Sequence, residues 1–156
     1  MRMKTKVTCD FKGLDILKKA LIEADKKEGR AGFDDSVKHK KSGQPLSLIA
    51  YYNTMGSPGG KIPQRPFMQD AAKDSSLEVK QQLANYWGYV LKGKPVDKPL
   101  MKAAEKVSKW ITNTIKTNSY EPNKKSTLRK KEGSQPLVDT KQLMNSVRTG
   151  VHDKGD

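Results

Sequence analysis

The first half of the chain changes its hydrophobic period several times, which predicts short elements of mixed type. Residues 4–11 alternate apolar and polar side chains, as a half-buried strand does. Residues 14–24 place leucine and alanine at helical spacing, and residues 33–40 are interpreted as a second strand. Pro45 suits the first turn of a helix, which is predicted for residues 45–54.

The second half predicts two long amphipathic helices, followed by a basic segment and a short ordered end. The first helix covers residues 69–92, and the second carries an apolar stripe from residue 100 to residue 115. Trp87 and Trp110 are expected to pack in the core between these two helices. Residues 118–135 show no periodicity and are interpreted as a flexible basic arm.

The end of the chain returns to a periodic pattern. Asp139 is a candidate helix cap with Gln142 three residues later, which predicts a short helix with Leu143, Met144 and Val147 on one face. The alternation from Val147 to Val151 predicts a last strand. Together these elements predict an α+β fold in one domain, residues 1–156. It is expected to contain a small, mostly antiparallel sheet packed with one or more helices, two further long helices and a basic loop.

The net charge of the chain limits the kinds of molecule that it is expected to bind. The chain has 31 Lys and Arg against 17 Asp and Glu, a net charge of +14. This excess favours a partner with negative charge, either nucleic acid or an acidic protein surface, and composition alone leaves both open. Lysine outnumbers arginine, which argues against readout of base edges, because bidentate guanine contacts favour arginine.

Nothing in the sequence supports an enzyme, a cofactor or a metal site. The two histidines and the lone Cys9 lack zinc-ligand spacing. The run GSPGGK does not match a phosphate-binding loop, because no Ser or Thr follows Lys61. Cys9 leaves no intramolecular disulfide, and no apolar run reaches the length of a membrane span, so we expect no membrane partner and assembly in a cytoplasm.

The stretch GSPGGKIPQRPFM, residues 56–68, is unusually rich in glycine and proline. Its glycines allow positive φ and tight turns, and Pro66 biases Arg65 away from helix. The run from Ile62 to Met68 is therefore expected to be extended. Because its prolines limit backbone hydrogen bonding, such a segment suits docking across another surface rather than pairing with further strands.

Two longer stretches together resemble a family of tailed-phage proteins. IAYYNTMGSPGGKIPQRPFM, residues 49–68, resembles that family's helix leading through a glycine into IPxRPF. KKSTLRKKEGSQPLVDTKQLMNSVRTGV, residues 124–151, is similar to its second signature, which ends in PLxDTxxLxxSV. The family is the virion-morphogenesis or tail-completion group, also described as neck or minor tail proteins. Two departures are Asn53-Thr54-Met55-Gly56, in place of an acidic-aromatic-glycine step, and Lys141, in place of a common glycine; Lys141 is interpreted as a tolerant position.

The resemblance implies a structural virion protein of the head–tail junction that forms a homo-oligomeric ring and is not an enzyme. The implied partners are itself, a head-connector or stopper protein, and a tail-terminator or tail-tube protein. The alternatives are a tail-completion or terminator protein that caps the tail tube and, in another class, a non-specific nucleic-acid-binding protein.

Two groups of residues are candidates for contacts in that assembly. Within the first group, Arg65 would reach a carboxylate or carbonyl of the neighbour and Phe67 would fill a pocket, with packing in the subunit's own core as the alternative for Phe67. The second group would dock on an acidic protein surface, which we favour, or would make transient non-specific contact with DNA. The first group is Ile62, Pro63, Arg65, Pro66 and Phe67; the second is Lys124, Lys125, Arg129, Lys130 and Lys131.

Overall fold

The computed structural model describes residues 12–117, 119–123, 129, 137 and 141–155, which contain six helices and two strands. In chain order these are α1 (Lys12–Asp25), β1 (Lys27–Phe33), α2 (Leu46–Met55), α3 (Phe67–Asp74), α4 (Ser76–Leu91), α5 (Asp97–Thr117), α6 (Gln142–Asn145) and β2 (Val147–Asp153). The predicted α+β class, rich in helix with a small antiparallel sheet, is confirmed. The strand predicted at residues 4–11 and the Asp139 cap lie outside the described residues.

The central element is α5, which packs against α3, α4, α6 and both strands. Its apolar stripe is buried as predicted, from Leu100 near the start to Ile115 near the end. The helix has 21 residues and, at about 1.5 Å per residue, is about 30 Å long. The core therefore forms along one helix rather than around one point.

The core consists of two clusters, one toward each end of α5. The larger cluster lies toward the C-terminal end of α5 and is called the α2 end; the smaller lies toward the N-terminal end and is called the α1 end. The α2 end contains Ala50, Phe67, Ala71, Ile111, Ile115, Leu137 and Leu143. The α1 end contains Ala24, Val90, Val96 and Leu100.

The sheet joins β1 and β2 as an antiparallel pair, with a register from Lys27 opposite Asp153 to Phe33 opposite Val147. The prediction of β2 is confirmed, but the strand predicted at residues 33–40 is wrong. The strand instead covers Lys27–Phe33, whose sequence KEGRAGF shows no alternation of apolar and polar side chains. At Gly29 a Cβ atom would lie 2.8 Å from the carbonyl oxygen of Leu100 on α5. Glycine lets this strand approach the helix closely. Because glycine has no side chain, it also weakens the apolar and polar alternation by which a strand is predicted from sequence.

The single helix predicted for residues 69–92 is two helices, divided at Ser75. Ser75 is buried, and its hydroxyl donates a hydrogen bond of 3.2 Å to the carbonyl oxygen of Ala72. A serine that bonds to its own preceding turn competes with a continuous helical ladder. The division lets α3 pack at the α2 end while α4 runs along α5 toward the α1 end.

The two tryptophans have different environments, so the prediction that both pack in the core is wrong for Trp87. Trp110 is half-buried, and its Nε1 donates to a Glu78 carboxylate oxygen at 3.1 Å. Lys106 pairs with the other Glu78 oxygen at 2.7 Å, and the hydrogen bonds from Lys106 and Trp110 lower the pKa of Glu78. Trp87, in contrast, is 53% exposed.

Candidate functional site

The segment after α2 closes into a compact loop instead of extending away from the subunit. Gly56 ends α2 with φ of 79°, and a Cβ atom there would lie 3.2 Å from the Ile62 carbonyl oxygen. The Ser57 backbone amide donates to that same carbonyl at 3.0 Å, and the Ser57 hydroxyl accepts from the Ile62 amide at 2.9 Å. Glycine is favoured at position 56, because the backbone has a positive φ and a Cβ atom would lie in tight contact with the Ile62 carbonyl.

Arg65 is the most buried charged residue described, with 2% of its surface exposed. Its guanidinium donates twice to the Glu121 carbonyl oxygen, both at 3.1 Å, and once each to the side-chain oxygens of Asn53 and Asn123, both at 3.0 Å. Its backbone amide also donates to the Asn53 carbonyl oxygen at 2.8 Å. Burial lowers the pKa of Arg65. All of these acceptors are neutral oxygens, so the guanidinium joins three segments without a bound carboxylate.

Phe67 is fully buried and makes an edge-to-face contact with Phe33, with ring centroids 6.1 Å apart. The expectation that Arg65 and Phe67 reach a neighbouring subunit is therefore corrected: both side chains are enclosed by their own subunit, and Phe67 takes its alternative role in the core. Ile62, Pro63 and Pro66 are half-buried. The extended run ends at Pro66 rather than Met68, because α3 begins at Phe67.

The start of the predicted basic arm is fixed to the α2 end. Besides the Arg65 hydrogen bonds to Glu121 and Asn123, the Tyr120 hydroxyl donates to an Asp70 carboxylate oxygen at 2.7 Å. Residues 119–123 form no helix or strand, in agreement with the absence of periodicity. Arg129 is exposed. The other basic residues predicted to form the arm contact, Lys124, Lys125, Lys130 and Lys131, lie outside the described residues.

The outer side of α2 presents an apolar stripe that the sequence analysis missed. Four residues at positions i, i+3, i+4 and i+7 share that side and are all exposed, Tyr51 by 59%. The opposite side of the helix is buried through Leu46, Ala50 and Thr54. Helix α2, LSLIAYYNTM, contains no charged residue, and that is the sequence signal that would have found the stripe. We call this surface the α2 face: Leu48, Tyr51, Tyr52 and Met55.

A second apolar surface lies on α1, at the other end of the molecule. The helix predicted for residues 14–24 is confirmed, but among its residues only Ala24 is buried. Three large apolar residues, seven and eight positions apart, are exposed on one side of the helix. We call this surface the α1 face: Leu14, Leu21 and Ile22.

The second signature carries one strained residue. Lys141 precedes α6 with φ of 56° and ψ of 7°, the left-handed conformation that favours glycine. It is the only non-glycine residue with positive φ in the described part of the chain. Lysine adopts this conformation at a steric cost that glycine does not have, and the interpretation of Lys141 as a tolerant position stays a prediction.

The described residues contain no group of three or more His, Cys, Asp or Glu residues that could hold a metal ion. None of the described helices is long and apolar enough to cross a lipid bilayer. Comparisons with protein-family models, curated proteins and solved structures found no match to this chain. The family resemblance therefore rests on the two motifs in residues 49–68 and 124–151.

Proposed function

We propose that this chain is a structural protein of the head–tail junction of a tailed bacteriophage, where copies of it form a ring between the head connector and the tail. The observation that carries this proposal is the α2 face, a charge-free apolar helix surface inside a motif that resembles the phage family. The left-handed backbone at Lys141 adds support, because it occurs where the family commonly has glycine. The subunit would be located in the virion after assembly inside the host cell.

The absence of charge on α2 favours a second copy of this chain as the partner of the α2 face. Two copies with a net charge of +14 each repel one another, and a contact through α2, which carries no charged residue, adds no like charge from that side of the interface. An acidic partner would instead gain most from contacts with lysines. A helix that is apolar on both sides is typical of a buried position, and the subunit itself buries only one side of α2.

The placement of the two faces suits a ring. A ring needs a head-to-tail contact between two different surfaces, whereas a two-fold dimer uses one surface twice. The α1 face and the α2 face belong to helices that pack toward opposite ends of α5, an element of about 30 Å. The proposed contact therefore pairs the α2 face of one subunit with the α1 face of the next.

Mixing two variants tests this pairing. Tyr51→Glu damages the α2 face and leaves the α1 face intact, while Leu21→Glu does the reverse. Each variant alone is expected to remain monomeric in analytical ultracentrifugation under conditions where the unmodified protein forms rings. An equimolar mixture retains one intact pair of faces per two chains, so it should form dimers and nothing larger.

Leu77→Glu is the matched control, because Leu77 is 67% exposed, lies in the first turn of α4 and belongs to neither face. This control should still form rings. Normal rings from Tyr51→Glu would remove the α2 face from the proposal. A mixture that stays monomeric would refute the head-to-tail pairing.

The role at the head–tail junction has a separate test. Negative-stain microscopy of particles made without this protein should show DNA-filled heads beside finished, unattached tails. Particles carrying Tyr51→Glu should show the same defect, and particles carrying Leu77→Glu should join normally. Normally joined virions in the absence of the protein would overturn the proposal.

A further inference from the structure

A groove between α4 and α5 gathers lysines from both helices and from their connection. It has a volume of about 480 Å³ and lies at the α1 end of the molecule. Lys92 and Lys94 approach it from the connection, and Lys98 and Lys102 line it from the first turns of α5. Asn85 and Tyr89 of α4 add neutral polar groups. Four positive charges therefore surround one concave surface.

These four lysines are exposed and make no ion pair or side-chain hydrogen bond within the described residues. Other lysines of the subunit are paired: Lys106 with Glu78 and Lys154 with Asp25. Asp97, which precedes Lys98 directly, pairs with Lys27 at 3.4 Å. The positive charge of the groove is thus left uncompensated by the fold, which favours an anionic ligand.

We infer that this groove binds the phosphate backbone of nucleic acid. Lysine ammonium groups are point charges that suit phosphate contact without base readout, and the groove contains no arginine. Asn85 and Tyr89 can donate hydrogen bonds to phosphate or sugar oxygens. Helix α4 leaves its side of the groove open, because Ala84 and Gly88 are small and the Cβ position of Gly88 has no atom within 4 Å.

An acidic protein segment fits the groove less well. Protein interfaces gain most of their affinity from large apolar or aromatic anchors in pockets. The exposed Trp87 and Leu91 do not line the groove, and its lining offers Tyr89 as the sole aromatic group among the described residues. The groove is formed within one subunit, so this inference is independent of ring assembly.

The test is fluorescence anisotropy of a labelled 30-base-pair duplex with the full chain, between 50 and 200 mM salt. Lys98→Glu with Lys102→Glu should weaken binding about tenfold or more and lower the slope of log affinity against log salt by about two, since each phosphate contact contributes about 0.9. Lys98→Gln with Lys102→Gln should weaken binding less, in the same direction. All variants should retain the melting temperature of the unmodified protein, because both side chains are exposed.

Two variants with the same change in net charge are the controls. Lys38→Glu with Lys40→Glu alters exposed lysines outside the groove, and Lys124→Glu with Lys125→Glu alters the predicted basic arm. Affinity for the duplex should fall about threefold or less with either control. Equal losses from the groove and the control pairs, or a larger loss from the arm pair, would overturn the assignment.

A competition experiment separates nucleic acid from an acidic protein. Polyglutamate of matched charge should displace the duplex only at a large excess. If polyglutamate binds more tightly than the duplex and its binding is lost with Lys98→Glu and Lys102→Glu, the groove is a docking site for acidic protein and the inference is wrong.

Discussion

The two ends of α5 differ in how completely the subunit fills them. At the α2 end, a fully buried phenylalanine and a buried guanidinium hold α2, α3 and residues 119–123 together. At the α1 end, the buried cluster consists of four smaller side chains, and α1 contributes only Ala24 to it. A 14-residue helix is marginal on its own in water, so α1 depends on these few contacts. Stability should therefore be concentrated at the α2 end, with the α1 end opening first.

The largest effect is expected from Phe67→Ala. Phe67 is fully buried, and its removal leaves a cavity against Phe33 and α5. We expect the free energy of unfolding to fall by about 3–5 kcal/mol, measured by urea denaturation. Phe67→Leu is the control and should lose clearly less. A loss below about 1 kcal/mol for Phe67→Ala would show that the α2 end is not the main source of stability.

Arg65→Met should lower the free energy of unfolding by about 3 kcal/mol, because it removes all four hydrogen bonds of a guanidinium whose residue is only 2% exposed. Hydrogen exchange should also show faster exchange in residues 119–123, which Arg65 fixes. Arg148→Met, an exposed arginine of β2, is the matched control and should change stability by less than about 0.5 kcal/mol. Unchanged exchange in residues 119–123 would refute the role given to Arg65.

Val90→Ala measures the smaller cluster directly. Val90 is fully buried at the α1 end, and its truncation should lower the free energy of unfolding by about 2 kcal/mol. Leu91→Ala, at a position that is 69% exposed, should have almost no effect. A loss from Val90→Ala as large as that from Phe67→Ala would contradict the contrast between the two ends.

Lys141→Gly is expected to raise the free energy of unfolding by about 1 kcal/mol, because glycine adopts the left-handed conformation without steric strain. The measurement is again urea denaturation, with Lys40→Gly as the control for loss of a lysine side chain. No gain, or a loss, would show that the Lys141 side chain contributes contacts that outweigh the strain.

The smallest effect is expected from Leu14→Gln on the α1 face. Leu14 is exposed, so the melting temperature of the monomer should change by less than the equivalent of about 0.5 kcal/mol. Self-association measured by sedimentation should nevertheless weaken. A monomer that becomes much less stable would place Leu14 in the core of its own subunit.

The sequence predicts those parts of the fold that depend on local pattern. The stripe of α5, helix α2 and strand β2 each show a clear period, and Gly56 and Pro66 mark the loop between α2 and α3. Strand β1 could not be predicted, because Gly29 lies close against α5 and the strand sequence KEGRAGF does not alternate apolar and polar side chains.

The candidate site was less predictable, because it depends on contacts distant in sequence. The hydrogen-bond acceptors of Arg65 at Glu121 and Asn123 are 56 and 58 residues away in sequence, and no local pattern predicts them. An arginine before a proline looks the same in sequence whether it faces solvent or a set of carbonyl oxygens. The α2 face was readable in principle, since a helix without charge stands out in a chain that is 31% charged.

The pairing of β1 with β2 has a consequence for the order of events during synthesis. The strands come from residues 27–33 and 147–153, so their antiparallel pairing closes a loop of more than a hundred residues. A nascent chain on the ribosome can form α1 to α5, but within the described part of the chain β1 pairs with β2 alone, so this pairing forms only when residues 147–153 emerge. Contacts so distant in sequence form late in folding. The subunit therefore acquires its finished fold only after residues 147–153 have been translated.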